Sequence, residues 1–458
     1  MQPYLLNTQW KDKTMNLSRR SLLKFGTMTG VGHLTSSVLF PQLLSAATSA
    51  ADDYKALVCI ALNGGCDGNN VIVPMSGSQY GLYRLARQGL ALEASSLLAC
   101  SNGFGQAYGL NGALKNIAGL YSTGNAAVLT NVGSLGSPVT RAEYLSGSSI
   151  IPTDLMNHES QCYQWATSYT ATGATAVYTG WGGRLADRLQ SLNLGAFPVV
   201  TSLAPAAAEG GFCFGQSTYP AVLNPAVMSG FPDTAIQSLQ VIAKLNSKAI
   251  LVSSAASDMQ NALTQSQVLS GALAGVQSPA GFPTSDFGVQ LSQVLKMIKA
   301  RRSLGMQRQI FLCVLHGFDN HLDQLTAQQA ALADLDNCVG AFQTEIQNMG
   351  LQQNVTTFTT SDFGRTLQMN TLGGSDHAWG NHQFIIGGAV KGGRFYGQFP
   401  NLSLSGPDDY AAEGRWIPTT SVDQYGSTLA AWFGVPTAEL TGMFPNLKHF
   451  SQSSLGFV

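Results

Sequence analysis

Five short apolar runs, most of them continuous rather than alternating, restrict what this chain can fold into: Ala56–Leu62, Ala126–Thr130, Pro198–Leu203, Ile310–Leu315 and Val355–Thr360. A strand that is apolar on both sides must be covered on both sides, as strands inside a parallel sheet are. Helical periodicity lies between the runs. Phe287, Leu291, Val294, Leu295 and Ile298 share one helical face, with Ser285 or Asp286 placed to cap it. Leu332, Leu335, Val339, Phe342 and Ile346 repeat the pattern. This alternation predicts an α/β fold, a mostly parallel sheet with helices on both faces. Ligands of such sheets sit beyond the carboxyl ends of the strands. Three runs lead there into chemistry-bearing residues: the first into Asn63-Gly-Gly-Cys-Asp67, the fourth into His316-Gly-Phe-Asp319-Asn-His321-Leu-Asp323, the fifth into Ser361-Asp362-Phe-Gly-Arg365.

The first fifty residues are read apart from this fold. Residues 18–25, Ser-Arg-Arg-Ser-Leu-Leu-Lys-Phe, follow the pattern of a twin-arginine export signal. A polar stretch with Lys11 and Lys13 precedes the arginine pair. A weakly apolar segment, Phe25 to Leu44, follows it, and small residues at Ser45–Ala51 suit a peptidase. Glycines and His33 interrupt the apolar segment, so a permanent membrane span is not expected. The twin-arginine translocase is the implied partner during export, with a periplasmic or secreted destination. That route carries folded proteins, often with a ligand already loaded. The expected organisation is a signal peptide at 1–50 and one domain at 51–458, with an Ala/Gly/Ser-rich, loop-rich insertion at about 204–283.

Composition excludes some functions. Residues 1–50 hold five basic residues and one acidic, so the chain's 24 basic and 25 acidic residues become 19 and 24 without them, a net of −5. No basic run points to nucleic acid or to an anionic lipid surface. The seven cysteines form no CxxC pair, which argues against a zinc knuckle. Cys59 and Cys313 lie within apolar runs and are expected to be buried thiols.

Six histidines remain beyond residue 50: His158, His316, His321, His377, His382 and His449. Asp319 and His321 are two apart, and Asp376-His377 follows the Gly373-Gly374 turn. Mixed carboxylate and imidazole ligands suit Zn²⁺, Mn²⁺ or Fe²⁺, whereas all-oxygen sites suit Mg²⁺ or Ca²⁺. Asp319, His321 and His377 are the candidate metal ligands, with Asp67 and Asp362 expected close by. His316 and His382 are equally compatible with hydrogen-bonded structural roles.

Six motifs in order carry a resemblance. They are Leu62-Asn-Gly-Gly-Cys-Asp-Gly-Asn-Asn70, Asn157-His-Glu-Ser-Gln161, Gly180-Trp-Gly-Gly-Arg184, His316-Gly-Phe-Asp-Asn-His321, Ser361-Asp-Phe-Gly-Arg-Thr366 and Asp376-His-Ala-Trp-Gly-Asn-His382. With them the chain, from about Ala56 to its end, resembles the DUF1501 family of exported bacterial proteins within the alkaline phosphatase-like superfamily. The resemblance implies a three-layer α/β/α sandwich with two adjacent metals and a Ser or Thr nucleophile at a helix start. It implies Asp67 and Asp362 as ligands of one metal, and Asp319, His321 and His377 as ligands of the other, the metal being Zn, Mn, Mg or Ca.

Two departures accompany it. Phe363 stands where the superfamily carries a histidine, and Asn157 stands where a nucleophile would be sought. Asn157 suits a helix N-cap instead. Thr140 is the alternative nucleophile, or an ordinary turn threonine. His158 is the candidate acid–base group or substrate contact, and Arg365 the candidate oxyanion binder. Asp323 is a reserve ligand. The implied function is an exported metal-dependent hydrolase of phosphate or sulfate esters, on small-molecule or polymer substrates. The alternative is a catalytically degenerate binding or assembly protein on the same scaffold. Replacing both Arg19 and Arg20 by Lys is expected to leave precursor in the cytoplasm, because the paired guanidinium groups are the part the receptor reads. Fractionation and immunoblotting check this; normal export of the double variant would rule the route out.

Overall fold

Register along one strand sets the architecture. In the computed structural model, Lys55–Leu62 (β1) is buried from Ala56 to Leu62, and its side chains alternate between two apolar cores. Ala56, Val58, Ile60 and Leu62 face one, and Leu57, Cys59 and Ala61 face the other. Each fully buried Leu, Ile or Val is worth about 1.5–3 kcal/mol, so covering both faces is what such a run requires. The described residues are 53–458 apart from 76, 148–149, 171–176, 178, 205–207, 225–237, 240 and 242–248. The twin-arginine segment inferred above lies outside them.

The other strands of the main sheet are Ala126–Gly133 (β2), Val200–Ser202 (β3), Ala221–Val222 (β4), Arg308–Leu315 (β5), Val355–Ser361 (β6), Asn381–Ile386 (β7), Phe395–Tyr396 (β8) and Thr420–Ser421 (β9). They order as β8-β2-β7-β6-β1-β5-β3-β4, with β9 also on β2. Every pairing is parallel except those of β7, which runs against both of its neighbours. All five expected runs are strands. β7 was not foreseen, because its first residues, Asn381-His382-Gln383, carry no apolar run. A three-stranded antiparallel sheet, Ile72–Pro74, Ala107–Leu110 and Leu98–Ser101, stands apart.

The helices used below are Gly77–Arg87 (α1), Lys115–Ser122 (α2), Arg141–Ser146 (α3), His158–Thr167 (α4), Trp181–Leu189 (α5), Ile250–Leu273 (α6), Asp286–Lys299 (α7), Gln324–Asn348 (α8) and Val422–Phe433 (α9). Ile117 and Tyr121 of α2 join one core with the expected apolar faces of α7 and α8. Leu185 and Leu189 of α5 join the other with Val422, Tyr425, Leu429 and Phe433 of α9. Helices therefore cover both faces, and the three-layer α/β/α expectation holds. Ser285 caps α7, its hydroxyl accepting from Gly288 N (3.1 Å).

The stretch read as a loop-rich insertion includes β4 and the 24-residue α6. The apolar residues of α6 are scattered among Ser, Ala and Gln, so no face announced it. Two compact units are distinguished: Ala51–Gly230 with Gln267–Val458, which holds both sheets, and a second whose described part is mainly α6 up to Ser266. Among the described residues no helix is long and apolar enough to cross a membrane. All seven cysteines are free thiols, with Cys59 and Cys313 buried as expected.

Pairing also fixes what stands at the sheet edge. Leu62 of β1 is level with Leu315 of β5 and with Ser361 of β6. The next residues, Asn63, His316 and Asp362, emerge side by side. Beneath the sheet, Asp423 in the first turn of α9 is fully buried and accepts from Asn446 N (2.9 Å). Burial pushes its carboxyl up to about 7, against the lowering pull of Asn446 and Arg184. A raised folded-state pKa makes a contribution that is full in acid, below the unfolded carboxylate value, and is lost as pH rises toward 7. Asp423→Asn is therefore expected to reduce the fall in Tm between pH 5 and pH 8, read by thermal unfolding at both pH values.

Candidate functional site

Asp319, His321 and His377 converge beyond the carboxyl ends of β5 and β6. Asp319 Oδ1 lies 3.1 Å from His321 Nε2 and 3.4 Å from His377 Nε2, and the two Nε2 atoms are 2.9 Å apart. His158, the first residue of α4, places its Nε2 3.6 Å from Asp319 Oδ2. Close approach of the β1 loop makes room for this. Gly64, at φ +109°, would with a Cβ meet Asp319 N at 2.6 Å.

Hydrogen bonds decide which ring nitrogens carry protons. His377 Nδ1 faces the Met156 carbonyl (2.8 Å), which can only accept, so the proton is on Nδ1. Burial, with the nearby Arg365 charge, holds His377 below the usual imidazole value despite that bond, so the ring is neutral at pH 7. His321 Nδ1 faces Asp376 Oδ1 (3.2 Å). Partial burial raises the Asp376 carboxyl, but bonds from Asn370 and His321 outweigh it and hold it low, so it is ionised and accepts. His158 Nδ1 donates to Asp362 Oδ2 (2.7 Å). Each of the three Nε2 atoms therefore presents a lone pair, and that of His158 is buried with no hydrogen-bond partner. Asp319 is also held anionic: partial burial raises its pKa, but the bond and charge of Arg365 outweigh this.

The Arg365 guanidinium offsets part of the repulsion among these lone pairs and the carboxylate, at Asp319 Oδ1 and at His321 Nε2 (3.4 Å), and a metal ion beside the His158 and His377 lone pairs would offset the rest. Tetrahedral zinc with bonds of about 2.0–2.1 Å spaces its ligand atoms about 3.3 Å apart, close to the separations here. The Nδ1 atoms bonded to Asp376, Met156 O and Asp362 are the outer contacts that metal-bound imidazoles make. The residues present thus fit a divalent metal held by His158, Asp319 and His377, whose candidate ligand atoms lie within 4.8 Å of one another, with His321 Nε2 beside Asp319 and His377.

The remaining expectations fall out differently. Asp362 reaches the cluster through His158, its other oxygen accepting from Gly64 N (3.1 Å). Asp67 does not join. Its carboxylate is buried against Arg87 of α1 and Gln324 of α8 and accepts from Asn69 N (3.1 Å). The guanidinium already neutralises it, so it is a structural ion pair. Arg365 is 1% exposed and donates to Gly64 O, Gly65 O (2.8 Å), Ser375 O (3.0 Å), Asp319 Oδ1 (2.5 Å) and His321 Nε2 (3.4 Å). With its donors committed it positions Asp319 and has none to spare for an oxyanion. Thr140 caps α3 in a reciprocal capping box with Glu143, its hydroxyl donating to Glu143 Oε2 (2.8 Å). Asn157 is the N-cap of α4, as expected. Asp323 stands at the start of α8.

His316 bonds Asn63 Oδ1 (2.9 Å). His382 is buried in β7, stacked on Phe399 and accepting from Asn131 N (3.1 Å), and burial drives its pKa down to about 3. Sequence reasoning missed Asp376 as the partner of His321, although it adjoins His377. It also missed Glu209, whose Oε1 accepts from Asn63 Nδ2 (2.7 Å) and which no motif marked.

A three-layer, mostly parallel α/β scaffold with an imidazole–carboxylate cluster at the carboxyl edge of its sheet defines the class. The chain belongs to the DUF1501 family, described as protein of unknown function, whose profile matches residues 54–411. No curated protein matches the sequence significantly. Similar solved structures include a sulfatase from Pseudoalteromonas sp., with 12% identity, TM-score 0.33, and 84% of this chain and 72% of that chain covered. Others are the lipoteichoic acid synthase LtaP from Listeria monocytogenes (9%, 0.34, 86% and 76%) and the alkaline phosphatase of the Antarctic bacterium TAB5 (9%, 0.31, 73% and 92%). Identities and TM-scores this low carry no inference about the reaction.

The reading of Asp67 is testable. Asp67→Ala leaves Arg87 buried and unpaired, so stability is expected to fall by about 3–5 kcal/mol while bound metal per folded chain stays unchanged. Denaturant unfolding and elemental analysis measure the two.

Proposed function

We propose that the protein is an exported, metal-dependent hydrolase of phosphate or sulfate esters. The observation that carries the metal is the convergence of three Nε2 lone pairs on the Asp319 carboxylate. The choice of ester rests on the motif resemblance, and export on the twin-arginine pattern of residues 18–25. A divalent cation bound there would polarise an ester oxygen and lower the pKa of water.

The chain's own residues support this in three ways. Asp362, Asp376 and Met156 O fix three imidazoles in the tautomer that leaves Nε2 free. Arg365 locks Asp319 in place. The N-terminus of α4, capped by Asn157, brings unpaired backbone N–H groups and the positive end of its dipole beside His158, where an ester oxyanion is favoured. Among the described residues no Ser or Thr hydroxyl bonds to His158, Asp319, His321 or His377, and Thr140 is engaged by Glu143. Direct attack by water is favoured over a seryl or threonyl intermediate.

A second reading, a binding or assembly protein on the same scaffold, is favoured by Phe363. Its buried ring packs on His158 (4.6 Å between centroids) and His377 (4.5 Å), in place of a ligating histidine.

Protein purified without chelator is expected to retain a divalent metal by elemental analysis and to turn over aryl phosphate or sulfate. His377→Ala and Asp319→Asn are each expected to lower turnover by about 10²-fold or more, the scale of losing one transition-state charge contact. Chelation should abolish turnover. Absence of turnover on any ester would leave the binding reading, and no bound metal at all would end the hydrolase reading.

A further inference from the structure

One helical turn beyond His158, on the same face of α4, lies Cys162. Its thiol, a carboxylate oxygen of Glu209 and a carboxylate oxygen of Asp362 lie within 4.8 Å of one another. Glu209 comes from the 3-10 turn Ala208–Cys213, and Asp362 from the end of β6. The three border a cavity otherwise walled largely by Trp165, Trp181, Phe212 and Leu312.

Charge balance is the difficulty in this arrangement. Glu209 is 8% exposed and Asp362 3%. Among the described residues neither forms an ion pair with Lys or Arg, unlike buried Asp67 with Arg87. Their donors are Asn63 Nδ2, Gly64 N, His158 Nδ1, the backbone N–H of Glu209 and the Cys162 thiol, none of them a fixed positive charge. Glu209 Oε2 is buried and has no partner. Two buried carboxylates this close are both ionised only when a cation compensates them; without one, one of them keeps its proton.

We propose that Cys162, Glu209 and Asp362 form a second cation site, distinct in ligands from the imidazole cluster and selective for a thiophilic divalent ion such as Zn²⁺. Two carboxylates and a thiolate suit Zn²⁺ and its surrogates Co²⁺ and Cd²⁺, and disfavour Mg²⁺ and Ca²⁺, which take oxygen ligands. Burial keeps the thiol protonated in the metal-free chain, and one of the two carboxylates there holds a proton, so binding releases both protons to solvent. The Oε2 atom of Glu209 gains its missing partner, and the negative charge of the pocket is offset. His158 connects the two sites, its Nδ1 on Asp362 and its Nε2 toward Asp319.

Sulfur separates this proposal from the imidazole cluster, which has none. Co²⁺ titrated into the full-length metal-free chain is expected to produce a near-ultraviolet thiolate-to-cobalt absorption band, with release of the thiol proton and the carboxyl proton from this site. Cys162→Ser should abolish the band and remove one equivalent of bound metal. Glu209→Gln should weaken the band-forming step about tenfold or more, by loss of a ligand. Asp319→Asn, which belongs to the imidazole cluster, should leave the band intact. Circular dichroism confirms that each variant is folded. A folded wild-type chain without the band at saturating Co²⁺ would overturn the proposal, as would a band that survives Cys162→Ser. Neither result would touch the imidazole cluster, whose occupancy is read from His377→Ala.

Discussion

One buried guanidinium holds the candidate site together. Arg365 donates to the carbonyls of Gly64 and Gly65 beyond β1, to Asp319 beyond β5, and to the Ser375 carbonyl in the loop that carries Asp376 and His377. Three other segments are thus tied to a side chain that is itself fixed beyond β6. Carbonyls alone would leave its charge uncompensated, and Asp319 supplies the counterion. Phe363 works in the same place by packing: its ring lies against His158, His377 and the Arg365 guanidinium. The aromatic that replaces an expected ligand is thereby a wedge that sets the planes of two others.

Much of this was legible in the sequence. Continuous apolar runs gave the five longer parallel strands, because a strand buried on both faces has no polar positions to hide it. The faces of α7 and α8 and the Asn157 cap followed from periodicity and N-cap chemistry. Asp319, His321 and His377 were found because each follows a strand or tight turn at one sheet edge. The failures share a cause. Whether Asp67 or Arg365 is free depends on partners remote in the chain: Gln324 lies 257 residues from Asp67, and Gly65 lies 300 from Arg365. His382 was open to either a ligating or a structural role, and its segment is a strand that buries the imidazole in the core. Local pattern gives the residue type and its element; it does not reveal which charges have already been neutralised.

The same limit explains why Glu209 went unnoticed. It sits in a short 3-10 turn within a region whose composition suggested only loop. Tertiary packing against α4 is what turns an ordinary surface residue type into a buried carboxylate with an orphaned oxygen.

The single antiparallel strand has a consequence for how the chain reaches this state. β7 is the seam of the sheet, with β2, β8 and β9 on one side and β6, β1, β5, β3 and β4 on the other. β2 ends at Gly133, but the partner it needs begins at Asn381. Neither block can close on the other until almost the whole polypeptide has been made. Pairing at such sequence separation is entropically slow, and until it occurs β2 and β6 both present open hydrogen-bonding edges. Synthesis stalled before Ile386 would leave β2 with no strand partner, since β8 and β9 lie further on still, and β6 as an open edge, each a template for pairing with another chain, so completion of β7 is the step that joins the sheet.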